Sequence, residues 1–190
     1  TINFVRVLKG SPSPDWSEKI WLDEEGTIRH EGRVTLYDPN HISALLCNYS
    51  ALKQNSYEDL NSDIRWLMED LDNIIEKCLR DEYPLYYDLV RYKIDGITNA
   101  EIREKLEEDY GISHSLEYLS SLYRNKIPKL IAEYAKEDWL NWYFTNIEKG
   151  TWKTCSKCGE TKLAHNIYFS KNKTAKSGFY SICKVCRNSK

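Results

Sequence analysis

Two C-x-x-C pairs, Cys155/Cys158 and Cys183/Cys186, stand 24 residues apart near one end of the chain. No other feature limits the fold as strongly. Each pair can turn back so that both sulfurs meet one ion. Two such knuckles close a tetrahedral thiolate site with no open position for water, which is the structural rather than the catalytic arrangement. An iron centre uses the same ligands, and two dithiols can serve redox exchange. One structural Zn2+ held by Cys155, Cys158, Cys183 and Cys186 is the expectation. Residues 150–190 are too few to bury a large core, so the module's folding should depend on the metal. Tyr168, Phe169, Phe179, Tyr180 and Ile182 are its expected miniature core.

The two other cysteines, Cys47 and Cys78, are isolated in helical, apolar surroundings and are read as small buried hydrophobes. A secreted disulfide scaffold would spread its cysteines through the chain, and this one does not. No apolar run is long enough to span a membrane and no secretory signal opens the sequence, so a soluble, intracellular protein is expected.

Charge is distributed unevenly. The formal net charge is −2, but residues 1–112 carry 13 Lys/Arg against 23 Asp/Glu, whereas residues 151–190 carry nine Lys/Arg against Glu160 alone. Such an asymmetry suggests a basic end that meets a polyanion and an acidic front half that meets a protein. Lys171, Lys173, Lys176, Lys184 and Arg187 are the expected phosphate contacts of the zinc module.

Along the chain, alternating β-branched residues predict strands over 2–8, 19–23, 27–30 and 33–37, with a loop over 9–15 and a turn over 24–26. Trp16 and Trp21 fit either a core or an interface anchor. From Asn40 the apolar spacing becomes helical. Ile42, Leu45, Leu46, Tyr49 and Leu52 mark one helix, and the stripe from Ile64 to Leu79 marks a long one over 57–80. Shorter helices follow over 83–94, 99–110 and from Ser113, read as an N-cap, to Lys126. Another begins after Pro128 and ends before Gly150. Thr98 and Glu101 form a capping box, and Gly111 suits a left-handed turn. The fold class is mainly α with a small β-rich N-terminal element, divided as 1–38, a helical segment over 39–81, a helix-turn-helix domain over 82–149, and a four-cysteine zinc module over 150–190.

Short helix, glycine turn and short helix is the outline of a helix-turn-helix. On its last helix Leu116, Leu119 and Tyr123 share one side, while Glu117, Ser121, Arg124 and Asn125 share the other, with Tyr118 at the edge. That outer face suits base edges: arginine can donate twice to guanine, asparagine can pair with adenine, and glutamate can accept from cytosine. His30, His41 and His114 are scattered.

The stretch YKIDGITNAEIREKLEEDYGISHSLEYLSSLYRNKIPKLI, residues 92–131, resembles the promoter-reading C-terminal domain of bacterial sigma factors and related phage regulators. DIRWLMEDLDNIIEKCL before it resembles the helix that leads into such domains. The resemblance implies that the helix after Ser113 enters the major groove. No counterpart of the segments that open promoter DNA is present, so a stand-alone regulator is the expectation. CSKCGETKLAHNIYFSKNKTAKSGFYSICKVCRN is similar to a zinc module of phage HNH and endonuclease VII-like nucleases. The module's one histidine, His165, is read as a surface or packing residue rather than a general base. With no His-Asn-His set, no enzyme activity is expected. The favoured function is double-stranded DNA binding in transcriptional control, with RNA polymerase as a candidate partner of the acidic half. The competing functions are a nuclease or DNA-packaging accessory protein, and a protein that binds polymerase or another enzyme without reading DNA.

Overall fold

The structure, a computed structural model, describes residues 4–6, 18–22, 28–31, 34–58, 63–147 and 149–189. The expected loop over 9–15, the turn over 24–26, Trp16, the side chain of Trp21 and residues 59–62 lie outside the described residues. The chain is mainly helical, with a two-stranded sheet near the C-terminus. Most of it divides into two compact units, His30–Ala135 and Lys136–Lys190, with stretches of the first 29 residues assigned to each.

Three short strands, β1 (Phe4–Arg6), β2 (Glu18–Leu22) and β3 (Ile28–Glu31), form a sheet in that order. β1 and β2 are antiparallel, with Phe4 opposite Ile20 and Arg6 opposite Glu18. The fourth expected strand does not form: residues 34–37 are bend and turn, and Thr35, Leu36 and Tyr37 are buried. Two local bonds hold this turn. Thr35 N–H donates to His41 Nδ1 (3.2 Å) and Tyr37 N–H donates to Thr35 Oγ1 (3.1 Å). Side-chain partners in the turn itself and in the helix that follows satisfy these amides, so they need no neighbouring strand.

The helical unit starts at α1 (Pro39–Cys47). Asp38 Oδ1 accepts from Asn40 N–H at 2.8 Å, and Pro39 occupies the first turn, where a missing N–H is harmless. The single helix expected through Leu52 is broken at Asn48 into α1 and α2 (Tyr49–Glu58). α3 (Asp63–Leu79) contains the whole stripe from Ile64, but Tyr57, expected to open this helix, belongs to α2. α4 (Pro84–Ile94) and α5 (Asn99–Tyr110) fall where expected. α5 carries its capping box: Thr98 N–H donates to Glu101 Oε2 (3.0 Å) and Glu101 N–H donates to Thr98 Oγ1 (3.4 Å). Gly111 ends α5 at φ 65°, a left-handed conformation that only glycine adopts cheaply.

The next helix, α6 (Leu116–Ser121), is capped by Ser115, whose Oγ accepts from Tyr118 N–H at 3.1 Å. Ser113 does not hold that place. Nor does the helix stop near Lys126. α6 leads into a π-helical turn (Leu122–Lys126) and then α7 (Ile127–Asn146), with no loop between. Ile127 N–H bonds to the carbonyl of Leu122, one residue further back than an α-helix requires. A widened turn of this kind accommodates Pro128, whose ring would crowd the carbonyl of Arg124 and which has no N–H to give. The proline read as a boundary therefore lies inside helix.

Ile42, Met68, Leu71, Leu79, Leu89, Ile102, Leu106, Leu119, Ile127 and Ile131 are fully buried. Each such side chain contributes about 1.5–3 kcal/mol relative to exposure. Polar anchors join the same helices. Tyr123 OH donates to the Leu46 carbonyl at the end of α1 (2.8 Å), and Tyr49 OH donates to Asp72 (2.5 Å). Cys78 is buried as expected, its thiol pushed up to about 11 by burial and then by Glu82. Cys47 differs. It is exposed, because it ends α1 on the side away from Ile42, Leu45 and Leu46.

Candidate functional site

In the C-terminal unit, β4 (Trp152–Thr154) and β5 (Thr161–Leu163) pair antiparallel, Trp152 opposite Leu163 and Thr154 opposite Thr161. The first knuckle is the turn of this hairpin. Cys155 N–H donates to the Glu160 carbonyl (2.8 Å), Gly159 N–H donates to the Cys155 carbonyl (2.9 Å), and Gly159 lies at φ 76°. The positive φ lets the chain reverse around the sulfurs without a Cβ clash. The second knuckle opens α8 (Lys184–Asn188): Cys183 caps it, its sulfur accepting from Cys186 N–H at 3.5 Å. Two backbone N–H groups help tie the knuckles together. Cys183 N–H donates to Cys155 Sγ (3.3 Å) and Ser156 N–H donates to the Ser181 carbonyl (2.9 Å).

The four sulfurs lie within 4.8 Å of one another, positioned to hold a metal ion. A tetrahedral ion with zinc–sulfur bonds of about 2.3 Å sets its sulfurs about 3.8 Å apart, so small rotations close the site. Cys155 and Cys183 are buried, whereas Cys158 is exposed. Backbone N–H groups of Cys158, Cys183 and Lys157 converge on Cys155 and bring its thiol down to about 6. The thiol of Cys186 is pushed up to about 12 by its hydrogen bond to Cys183 and then by burial. Thiols that share protons this closely exchange them for a cation that all four sulfurs can bind. Among the described residues no histidine or carboxylate joins this group, and the all-thiolate donor set is compatible with a structural zinc.

The module's core is built from Leu163, Tyr168 and Phe169 with the two buried cysteines, and Phe144, Ile167, Phe179 and Ile182 pack against it. Tyr180, expected inside, is 42% exposed, and the Arg187 guanidinium lies 4.5 Å from its ring centroid. Leu163 and Phe144 were not among the residues expected in this core. Alternation in Trp152-Lys153-Thr154 and Thr161-Lys162-Leu163 on either side of the first knuckle was the available signal for the hairpin. Lys157 was also missed. Its Nζ donates to the carbonyls of Cys186 (2.9 Å) and Ser189 (3.1 Å), joining the first knuckle to the end of α8. His165 is a packing residue: its Nδ1 accepts from Ile167 N–H (3.3 Å) and its ring lies near that of Phe144.

Lys171, Lys173, Lys176 and Arg187 are exposed, and Lys184 is half-buried at the start of α8. In the helical unit Leu119, Leu122, Tyr123 and Ile127 are buried. Glu117, Tyr118, Ser121, Arg124 and Asn125 are all exposed on α6 and the π turn. Asn125 Nδ2 donates to Ser121 Oγ at 3.4 Å, and the His114 ring sits against Tyr118 with centroids 4.6 Å apart. No protein-family model, curated protein or solved structure matches this chain.

Proposed function

We propose that this protein binds duplex DNA as a transcriptional regulator, with α5 and α6 as a helix-turn-helix and a zinc-held C-terminal module that adds phosphate contacts. One observation carries this reading. The helix that starts at Ser115 buries Leu119, Leu122 and Tyr123 and leaves Glu117, Ser121, Arg124 and Asn125 free to reach outward. A helix fixed on one side and polar on the other is what insertion into a major groove requires, and these side-chain types can distinguish base pairs there. The nine Lys/Arg against one acidic residue over 151–190 supply the sequence-independent attraction. Four thiolates around one Zn2+ would give the module its rigidity and carry no chemistry of their own.

Fluorescence anisotropy of the zinc-loaded protein on labelled duplex pools, across a salt series, tests the reading. Affinity should fall steeply with salt and keep a sequence preference, and an Arg124→Ala/Asn125→Ala variant should lose the preference while retaining weak binding. Absence of binding at low salt would sink it. A protein partner in place of DNA is the second reading. It is favoured by the 23 Asp/Glu of residues 1–112 and by the exposure of Ile112 (43%) and Tyr118 (44%) around the turn.

A further inference from the structure

Tyr180 is a large aromatic residue that the C-terminal module leaves outside. Phe179 before it and Ile182 after it pack against the core, while Tyr180 is 42% exposed. Successive side chains of an extended chain point to opposite faces, so packing Phe179 inward turns Tyr180 outward. The Arg187 guanidinium lies 4.5 Å from the Tyr180 ring centroid and covers one face of the ring. Among the described residues no second ring or cation lies against Tyr180, and its hydroxyl makes no hydrogen bond.

Both members of this pair are held by the backbone around them. Phe179 bridges Lys171 in antiparallel fashion, and Tyr180 N–H donates to the Ser170 carbonyl (3.0 Å). Arg187 N–H donates to the Cys183 carbonyl (2.9 Å), and the two bonds from Lys157 Nζ hold the end of α8 that carries it. An aromatic surface ordered in advance loses little freedom when something stacks on it.

The surroundings are cationic. Glu160, the one acidic residue over 151–190, is paired with Lys162 at 2.9 Å. Lys171, Lys173 and Lys176 are exposed on a loop closed by the bond from Asn172 N–H to the Gly178 carbonyl (2.7 Å). Lys171 bridges the residue next to Tyr180. An open π-face among cations is complementary to a chain of phosphates that carries aromatic bases. Paired bases inside a duplex stack on their neighbours and offer only edges, whereas an unpaired base offers a face.

We infer that Tyr180 and Arg187 form a stacking site for an unpaired base of single-stranded DNA, with Lys171 and Lys173 on the adjoining phosphates. The choice of DNA over RNA rests on the DNA reading above.

Fluorescence anisotropy of the zinc-loaded full chain with a labelled oligodeoxyuridylate tests the site. An abasic strand of equal length carries the same phosphates without the bases. The strand with bases should bind about fivefold or more tightly than the abasic one. Tyr180→Leu should erase that difference and Tyr180→Phe should keep it, both at wild-type zinc content. Equal affinity for the two strands, or a difference that survives Tyr180→Leu, would overturn the site. Photo-cross-linking of a 5-iodouracil strand to the wild-type protein, followed by peptide mass spectrometry, should mark the peptide that contains Tyr180. Cross-links confined to other peptides would also overturn it. The matching RNA strand should compete no better than the DNA strand; stronger competition would overturn the assignment to DNA. Arg124→Ala/Asn125→Ala, which tests duplex reading, should leave single-strand affinity unchanged. If the strand binds and the duplex does not, the duplex reading falls and the Tyr180 site stands. If the duplex keeps its sequence preference and the strand shows no base-dependent binding, the Tyr180 site falls alone.

Discussion

Gly150 and Leu163 approach so closely that a Cβ on the glycine would stand 2.6 Å from Leu163 Cδ1, and 2.8 Å from Phe144 Cβ. Gly150 N–H also donates to the Phe144 carbonyl (3.0 Å), closing the C-terminal end of α7. The end of α7 and strand β5 thus meet across a residue with no side chain. Gly150→Ala should overpack this point and destabilise the C-terminal unit by about 1–3 kcal/mol. Leu163→Ala in the same chain should recover part of that loss, a coupling that a double-mutant cycle by chemical denaturation would measure. Additive losses would show that the two side chains do not collide.

Metal removal should unfold the C-terminal unit and spare the helical one. Elemental analysis should find one zinc per chain in the native protein and none in Cys183→Ser, with Cys47→Ala indistinguishable from wild type. After chelation, near-ultraviolet dichroism from Tyr168 and Phe169 should collapse while most of the far-ultraviolet helix signal remains. Retention of both signals would show that the core of Leu163 and Phe169 folds without metal.

Alkaline pH should weaken the helical unit through Tyr110. Its phenol donates to Asp88, and its pKa is raised to about 12 by burial and then by that bond. A folded-state value above the unfolded value of about 10 means stability is fully present below pH 10 and is lost as pH rises toward 12. Thermal melts of wild type and Tyr110→Phe between pH 9 and 11.5 should converge as pH rises. Parallel curves would remove Tyr110 from the explanation.

The capping box ahead of α5 offers a test at the acid end. Glu101 is held below the usual carboxylate range, by the Thr98 side chain first and its backbone N–H second. The stabilisation is present above the unfolded value of about 4.3 and fades as pH falls through the lower folded value. Thr98→Ala should destabilise the unit by about 1 kcal/mol at neutral pH, measured by urea denaturation, and by less below pH 4.

Under the proposed DNA reading, Asn125→Ala, in the exposed π turn that follows α6, should lose about 1–3 kcal/mol of discrimination at one base pair. Lys171→Ala and Lys173→Ala should weaken all sequences alike and each lower the salt slope by about one. Competition binding with a selected duplex and a scrambled one separates the two behaviours.

Signals that act over a few residues were legible in the sequence alone. The two C-x-x-C pairs brought four sulfurs together, Thr98 and Glu101 formed their box, Gly111 took its left-handed turn, and the apolar stripe of α3 turned inward except at Ile64, which is exposed. The caps, turns and stripes depend on chemistry within about one turn of chain, and the two cysteine pairs, though 24 residues apart, are joined by the demand of one ion for four ligands, so composition and spacing suffice. Tertiary structure decided the rest. Ser115 caps α6 in place of Ser113, although both residue types fit, because the register that buries Leu119 and Leu122 places the first helical turn two residues later. Pro128 stays inside helix because the π turn before it removes the clash that makes proline a boundary in isolation. Cys47 and Tyr180 face outward because Ile42, Leu45 and Leu46 fill one interior and Leu163 and Phe169 the other. Leu46 and Tyr123 are 77 positions apart, and nothing local to either relates them. Only the packing of α1 against the π turn brings the Tyr123 hydroxyl to the Leu46 carbonyl, because long-range proximity depends on how buried surfaces fit together and not on spacing along the chain.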